Sequence, residues 1–203
     1  MSERGRLIAI EGGEGSGKST QAKLLAERLG AVLTREPGGT KVGEAIRALV
    51  LGAHDMDART EALLMAAARA QHVAEVIRPA LERGRHVVTD RFTPSSLAYQ
   101  GFGRGLDAGE VADLSRWATG GVSADLVILL DVPDETRRTR VGKPRDRMEA
   151  AGEEFHDRVI AGFRQMAALD DASWEVVDGS GAIAEVAELV WDAWQRSERR
   201  LAS

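Results

Sequence analysis

Short apolar runs alternate with longer stretches of helical periodicity along the chain. The apolar runs have the length of buried strands and cover residues 7–10, 31–34, 86–89, 126–130 and 174–177. The helical patterns between them cover residues 18–29, 43–51, 59–83, 107–118, 134–141, 153–169 and 183–194. This alternation predicts an α/β fold of three layers, in which helices cover both faces of a parallel five-stranded sheet. In such folds, ligands bind at the carboxyl ends of the strands.

Local signals mark the ends of two predicted helices. Asp107, three residues before Glu110, is typical of a capping box, and Gly120 is placed to end the same helix. Thr93 stands directly before Pro94, which predicts an N-cap followed by a helix that runs to about residue 99.

The longest helical pattern, residues 59–83, is rich in alanine and apolar on more than one face. A helix of this kind is covered on two sides, and a second subunit is one candidate for the cover. Pro79 is expected to bend its last turns.

The composition limits the class of protein. A chain of 203 residues with 43% hydrophobic and 29% charged residues predicts a single globular domain over residues 1–203, neither disordered nor embedded in a membrane. The net charge of -5 argues against a protein that coats nucleic acid. The apolar run after Arg6 is too short for a signal peptide, so we expect a cytoplasmic protein.

Cysteine and histidine chemistry is not expected. The chain has no cysteine, which removes disulfides, thiolate nucleophiles and cysteine-ligated zinc. The four histidines lack the short spacings of metal sites. They are His54, His72, His86 and His156.

A glycine-rich segment follows the first apolar run. Residues 12–20 read GGEGSGKST, which fits the phosphate-loop pattern G-x-x-x-x-G-K-[ST] at each fixed position. Backbone N–H groups in such a loop, and the start of the helix after it, bind phosphate oxygens. Lys18 is predicted to reach the β- and γ-phosphates of ATP, and the Ser19 hydroxyl to bind Mg²⁺. The predicted ATP-binding residues are Gly12, Gly13, Glu14, Gly15, Ser16, Gly17, Lys18, Ser19 and Thr20.

A phosphate loop alone is shared by kinases, GTPases, motors and nucleotide-binding regulators. The chain contains no asparagine, so the Asn-Lys-x-Asp element that reads guanine in GTPases is absent. Asp90 and Arg91 follow another apolar run and should reach the same sheet edge as the phosphate loop. Asp90 is predicted to bind Mg²⁺ or its waters, and Arg91 to grip phosphate oxygens. Asp131, at the end of a further run, is either a similar carboxylate or a helix N-cap.

Basic residues cluster around a glycine and proline break. Six of them lie within eleven positions, namely Arg137, Arg138, Arg140, Lys143, Arg145 and Arg147. Such a run is often a solvated surface, but beside a phosphate loop in an acidic protein it suits a mobile cationic lid, at about residues 140–152. Arginines and Mg²⁺ neutralise the charge that develops in phosphoryl transfer. A phosphate monoester acceptor, with a second pKa of about 6, needs no general base. These features favour a kinase that acts on a monophosphate.

Several motifs together give the chain a specific resemblance. They are EGGEGSGKST from Glu11, TREPGGT from Thr34, MAAARAQHV from Met65, DRFTPSSLAYQGFGRGL from Asp90, LDV from Leu130, DRME from Asp146 and FHDRVIAGF from Phe155. In this order they resemble the bacterial thymidylate kinases, which are P-loop nucleoside monophosphate kinases. The resemblance implies phosphorylation of dTMP to dTDP by ATP with Mg²⁺, in a homodimer. The net charge and the shortness of the apolar runs predict no nucleic-acid or membrane partner.

The resemblance also implies roles for individual residues. Glu14 would lie near the 3′-hydroxyl of the acceptor, Arg69 would hydrogen-bond a thymine carbonyl, and Ser96 would contact the ring N3 edge. Tyr99 would crowd the 2′ position of the sugar. The implied substrate-binding residues are Glu14, Arg35, Met65, Arg69, Arg91, Ser95, Ser96, Tyr99 and Gln100. The implied catalytic residues are Lys18, Asp90, Arg91, Arg145 and Arg147, with Ser19 and Asp90 at the metal.

One position departs from the family pattern. Met65 stands where the family commonly has an aromatic residue that stacks on the pyrimidine. A thioether can still pack on a ring, although core packing is an equally simple role for this methionine. Two alternatives therefore stay open, namely a kinase for another pyrimidine nucleoside monophosphate and a non-catalytic nucleotide sensor.

Overall fold

The computed structural model describes residues 4–52, 55–140 and 146–202, together with their side chains except those of Arg138, Leu201 and Ala202. Over these ranges the chain forms five strands and nine α-helices. The strands are β1 (Leu7–Glu11), β2 (Val32–Arg35), β3 (Val87–Asp90), β4 (Leu126–Asp131) and β5 (Trp174–Asp178). The helices are α1 (Lys18–Leu29), α2 (Lys41–Leu51), α3 (Ala58–His72), α4 (Arg78–Glu82), α5 (Thr93–Ser96), α6 (Ala108–Thr119), α7 (Asp134–Arg140), α8 (Glu153–Leu169) and α9 (Ile183–Ala202).

The five strands form one parallel sheet in the order β2-β3-β1-β4-β5. The predicted five-stranded parallel sheet is therefore confirmed. Strand β1 lies at its centre, with Ile10 paired to Asp90 on one side and to Ile128 on the other. Because the strands are parallel, the polar residues that end them meet at a single edge of the sheet. That edge is where ligands bind in folds of this type.

Alternate residues of the strands point into two separate hydrophobic cores, one on each face of the sheet. Ile8 and Ile10 point to a core that includes Leu25 of α1 and Val190 of α9. Leu7 and Ala9 point to the opposite core, which includes Phe163 of α8. This arrangement confirms the three-layer architecture.

Two predicted helices are interrupted by wider, π-type turns. The pattern at residues 59–83 is α3, then a π-helical segment Val73–Ile77, then α4, so the irregularity lies just before Pro79. The helix expected to end near residue 99 passes from α5 into a π-helical segment, Leu97–Gly103. Insertions of this kind are frequent at functional sites.

The helix-capping predictions met different outcomes. The Asp107 side chain accepts a hydrogen bond from the Glu110 N–H at 2.9 Å, and Gly120 ends α6 with a φ of 56, as predicted. The Thr93 N-cap is wrong, because Thr93 is already helical and Phe92 occupies the preceding position without a side-chain cap. The Phe92 carbonyl oxygen already accepts the Ser95 N–H at 3.1 Å, so helical hydrogen bonding begins one residue earlier than predicted.

The C-terminal helix α9 continues to Ala202, beyond its predicted end at residue 194. Its inner face buries Val186, Val190 and Trp194, whereas its outer face is charged. In the part of the chain that the structure describes, no helix has the length and apolar character needed to cross a membrane.

Candidate active site

The phosphate loop lies between the end of β1 and the start of α1. Gly12, Gly15 and Gly17 have φ values of 144, 74 and 90, which side chains rarely tolerate. At Gly12 a Cβ would also lie 2.7 Å from the Leu130 carbonyl oxygen, so the close packing of the loop on β4 requires glycine. The loop therefore has the glycine-dependent curvature that the sequence predicted.

Lys18 folds back across this loop. Its Nζ donates to the Gly13 carbonyl oxygen at 2.6 Å and contacts Ser16 Oγ at 3.4 Å. Burial, followed by the nearby charge of Arg91, lowers the pKa of Lys18 to about 8. The Gly13 carbonyl oxygen is neutral and only partly satisfies this ammonium group. A phosphate bound in the loop would give it a fully anionic partner.

Ser19 and Asp90 bring two oxygen donors together in front of the loop. The Ser19 hydroxyl donates to Asp90 Oδ2. The other oxygen, Oδ1, is buried and has no hydrogen-bond partner among the described residues. An unpaired buried carboxylate oxygen beside a hydroxyl is a donor set that fits a hard cation such as Mg²⁺. The two residues predicted to bind the metal are thus adjacent.

Arg91 lies at the centre of the site in a strained conformation. Its φ is 74, an unfavourable value for a residue with a side chain. Nη1 donates to Ser95 Oγ at 3.1 Å, and Nη2 donates to Tyr99 Oη at 2.9 Å, with a longer contact to Glu14 at 3.4 Å. Burial favours a lower pKa for Arg91, but Tyr99 and the nearby carboxylates outweigh it and raise the pKa. The guanidinium is therefore a fixed, permanent cation.

A cavity of about 490 Å³ opens in front of these groups. This volume lies within the range of small-molecule sites. The predicted site residues that line it are Glu14, Gly15, Gly17, Lys18, Ser19, Thr20, Arg35, Met65, Asp90, Arg91, Ser95, Tyr99 and Gln100. The structure thus gathers residues from both ends of the predicted reaction around one space.

Other predicted residues stand outside the cavity lining. Arg69 is 1% exposed, and its guanidinium donates to Glu36 at 2.7 Å, to Ser96 Oγ at 2.9 Å and to the Phe92 carbonyl oxygen at 3.0 Å. Glu36 lines the cavity, so Arg69 and Ser96 lie directly behind that wall. Their contact with a base stays a prediction. Gly12, Gly13 and Ser16 of the phosphate loop also do not line the cavity.

The basic cluster is anchored to the protein at several points. Arg140 donates to the carbonyl oxygens of Gly179 and Ser180, both at 2.7 Å. Arg137 is 7% exposed and packs against Gly13 of the phosphate loop. Arg147 donates to the Val50 carbonyl oxygen at 3.1 Å and to the Glu61 carboxylate. Lys143 and Arg145 lie outside the described residues, so the catalytic role of Arg145 stays a prediction.

Asp131 has a partner that neither sequence alternative named. Its carboxylate receives two bonds from Arg164 Nε, both 3.1 Å long, and one from Arg164 Nη2 at 2.8 Å. This bidentate pair joins the end of β4 to α8.

Sequence reasoning left several charged residues of the site unassigned, among them Arg47, Glu11 and Glu61. Arg47, on α2, lines the cavity and donates to the Pro37 carbonyl oxygen at 3.0 Å, and burial lowers its pKa. Glu11, at the end of β1, is fully buried, and burial raises its pKa to about 7 against the opposing charge of Arg91. Glu61 is also fully buried. A detectable signal was available for Glu61, since it precedes Met65 and Arg69 at four-residue spacing on one helix face.

Comparisons with known proteins agree with this geometry. A family profile described as thymidylate kinase matches residues 10–190. A thymidylate kinase of Leifsonia xyli is 52% identical over 192 residues, which cover 90% of this chain and 91% of the relative. One of Pelotomaculum thermopropionicum is 45% identical over 214 residues, covering 97% and 99%.

A solved structure is similar as well. The crystal structure of thymidylate kinase from Ehrlichia chaffeensis matches with a TM-score of 0.80 at 32% identity, covering 94% of this chain and 99% of that one. Since the profile and the relatives span most of the sequence, and the fold and the phosphate-binding edge agree with them, this chain belongs to the thymidylate kinase family.

Proposed function

We propose that this protein transfers the terminal phosphoryl group of Mg²⁺-bound ATP to dTMP and releases ADP and dTDP. The observation that carries the proposal is the position of Arg91. It lies between the phosphate loop and the part of the cavity lined by Met65, Tyr99 and Gln100, so a donor and an acceptor meeting end to end would share this cation.

On the donor side, the chain's residues bind and orient the phosphates. The loop offers backbone N–H groups, and Lys18 exchanges the Gly13 carbonyl for phosphate oxygens. Ser19 and Asp90 are the residues that would hold Mg²⁺, and this ion, when bound, neutralises charge on the phosphates. Asp90 has an unpaired oxygen for this purpose.

On the acceptor side, cations hold the monophosphate for in-line transfer. Arg91 is preorganised by Ser95 and Tyr99, and Arg35 and Arg47 line the same cavity. Arg35 is tied to Glu44 through two contacts of 3.1 Å and is half exposed, so it is free to exchange that partner. A phosphate monoester is largely ionised near neutral pH, and no side chain has to remove a proton.

Recognition of the nucleoside is assigned to the walls of the cavity. Met65 would pack on the pyrimidine and Gln100 would meet its edge. Arg69 would support this wall from behind, because it is bonded both to Glu36 and to Ser96. Tyr99 is held by edge contacts with Phe155 and Phe163, which makes it a rigid block near the sugar. This rigidity supports the preference for a deoxyribonucleotide.

The lid contributes positive charge during transfer. Arg145 is the arginine that we assign to the transferring phosphoryl group. Arg147 would have to leave Glu61 to reach it, so its catalytic role requires movement of the segment that carries it. If Arg147 stays with Glu61, its role is to anchor the lid.

The test is a panel of monophosphates with coupled detection of ADP. We expect dTMP to give the highest kcat/KM, dUMP a lower one, and UMP and CMP little turnover. A faster reaction with UMP or CMP than with dTMP would refute the substrate assignment. Nucleotide binding without ADP formation from any monophosphate would instead indicate a sensor.

A homodimer is also proposed. Trp117 on α6 is 82% exposed and Leu63 on α3 is 59% exposed, and these two helices pack against each other. Large exposed apolar residues on adjoining helices are typical of an interface. Light scattering on the wild type and on Trp117→Glu tests this, and a wild-type monomer at micromolar concentration would contradict it.

A further inference from the structure

Glu11 is a fully buried carboxylate that none of the roles above uses. It ends β1, one residue before the phosphate loop. Its Oε1 accepts the Phe92 N–H at 2.8 Å and its Oε2 accepts the Ser95 hydroxyl at 2.6 Å. Both partners follow Arg91 within four residues of the chain, so one side chain contacts the surroundings of this arginine twice.

The first contact holds the backbone of Arg91. The φ of 74 at this residue is costly and persists only where neighbouring bonds enforce it. The Arg91 N–H is bonded to the Ile10 carbonyl oxygen at 3.1 Å, and the next N–H, that of Phe92, is bonded to Glu11. Consecutive residues of β1 therefore fix the two peptide groups on either side of the strained position.

The second contact holds the side chain of Arg91. Ser95 Oγ has a single proton, which it donates to Glu11. Its lone pairs are thus left to accept the Nη1 proton of Arg91 at 3.1 Å. The ionised Glu11 carboxylate can only accept, which sets this direction, whereas a hydrogen-bond donor at this position would compete for the lone pairs of Ser95 Oγ.

We propose that Glu11 is a positioning residue for phosphoryl transfer, which fixes the Arg91 guanidinium between donor and acceptor through the Phe92 N–H and the Ser95 hydroxyl. The proposal rests on the function above, in which Arg91 neutralises the transferring group. Glu11 itself touches neither nucleotide.

The experiment compares Glu11→Gln, Ser95→Ala and Arg91→Ala with the double variants Glu11→Gln/Arg91→Ala and Ser95→Ala/Arg91→Ala. Glutamine keeps the size of the side chain but can donate to Ser95. We expect Glu11→Gln to lower kcat about tenfold, the usual effect of losing one charge-assisted bond. The KM values for ATP and dTMP should stay within about threefold.

The double variants separate positioning from general damage. If Glu11 acts through Arg91, adding Glu11→Gln to Arg91→Ala lowers kcat by less than about twofold more. A full further tenfold loss would overturn the proposal, as would an unchanged kcat in Glu11→Gln. Glu175→Gln, a carboxylate that is 9% exposed and paired with Arg196 and Arg200 on α9, is the matched control and should retain its kcat.

Further outcomes are decided by the same set. An unchanged kcat in Arg91→Ala would refute the proposed role of Arg91, and with it the positioning role of Glu11. A lowered kcat in Arg91→Ala together with an unchanged kcat in Glu11→Gln would overturn only the positioning role of Glu11. Should Glu11→Gln fail to fold, Ser95→Ala decides, because it removes only the intermediate hydroxyl. A wild-type kcat in a folded Ser95→Ala would then overturn the proposal.

Discussion

Replacing Glu61 with alanine removes a carboxylate that has no exposure to solvent and serves three donors. Gln100 Nε2 donates to it at 2.9 Å, Arg104 Nη2 lies 3.1 Å from it, and Arg147 completes the cluster. The three partners come from the π-helical segment Leu97–Gly103, the turn after it and the lid. Glu61→Ala would leave two arginines facing each other without their common anion.

The loss of stability depends on how much of the two arginine side chains is exposed to solvent. Removing one partner of a buried ion pair costs about 3–5 kcal/mol. The side chains of Arg104 and Arg147 are 23% and 16% exposed, so the lower end applies. We expect about 3 kcal/mol of lost unfolding free energy, which for a chain of this length lowers Tm by about 6–12 °C.

Urea and thermal denaturation of the ligand-free protein measure this loss. Glu61→Gln keeps an acceptor for the Gln100 side chain. The difference in unfolding free energy between Glu61→Gln and Glu61→Ala therefore measures the contribution of this hydrogen bond, and the rest of the loss belongs to the ion pairs. Glu175→Ala is the control, since its partners Arg196 and Arg200 are 46% and 39% exposed and the pair should contribute only about 1 kcal/mol. If Glu61→Ala were no less stable than Glu175→Ala, the idea that Glu61 organises these elements would be wrong.

Three other outcomes are expected. Lys18→Met should abolish turnover while calorimetry still detects dTMP binding, and loss of both would place Lys18 in the acceptor site. Arg69→Ala should raise the KM for dTMP about tenfold and that for ATP little, because Glu36 loses its 2.7 Å partner, and equal changes would contradict this. The buried Glu11 has its pKa raised from 4.5 to about 7, so the stability that it contributes is complete below pH 4.5 and is lost as the pH rises through 7. Urea midpoints of wild type should therefore fall relative to those of Glu11→Gln between pH 5 and pH 8, and parallel curves would refute the shift.

The parts of the fold that depend on local sequence were predictable. Helices α1 and α8 begin and end at the expected residues, and the glycine loop has the positive φ values that its pattern requires. Each strand ends one residue beyond its apolar run, because polar residues such as Glu11, Arg35 and Asp90 still pair within the sheet. A strand boundary predicted from hydrophobic residues alone leaves out a polar residue at the end of the strand.

The parts that depend on distant partners were not predictable from the residues alone. Arg69 was assigned to the base, but its bonds to Glu36 and Ser96 span 33 and 27 positions of sequence. The pairing of Glu61 with Arg147 spans 86 positions. A buried charge of this kind has the same appearance in a sequence as a charge on a solvated face, and only the assembled fold distinguishes them.

Arg140 and Arg147 are each bonded to a different part of the fold. Arg140 donates to the carbonyl oxygens of Gly179 and Ser180, which precede α9. Arg147 donates to the Val50 carbonyl oxygen near the end of α2 and to the Glu61 carboxylate. Neither set of bonds involves the other arginine, so the loss of one attachment should leave the other intact.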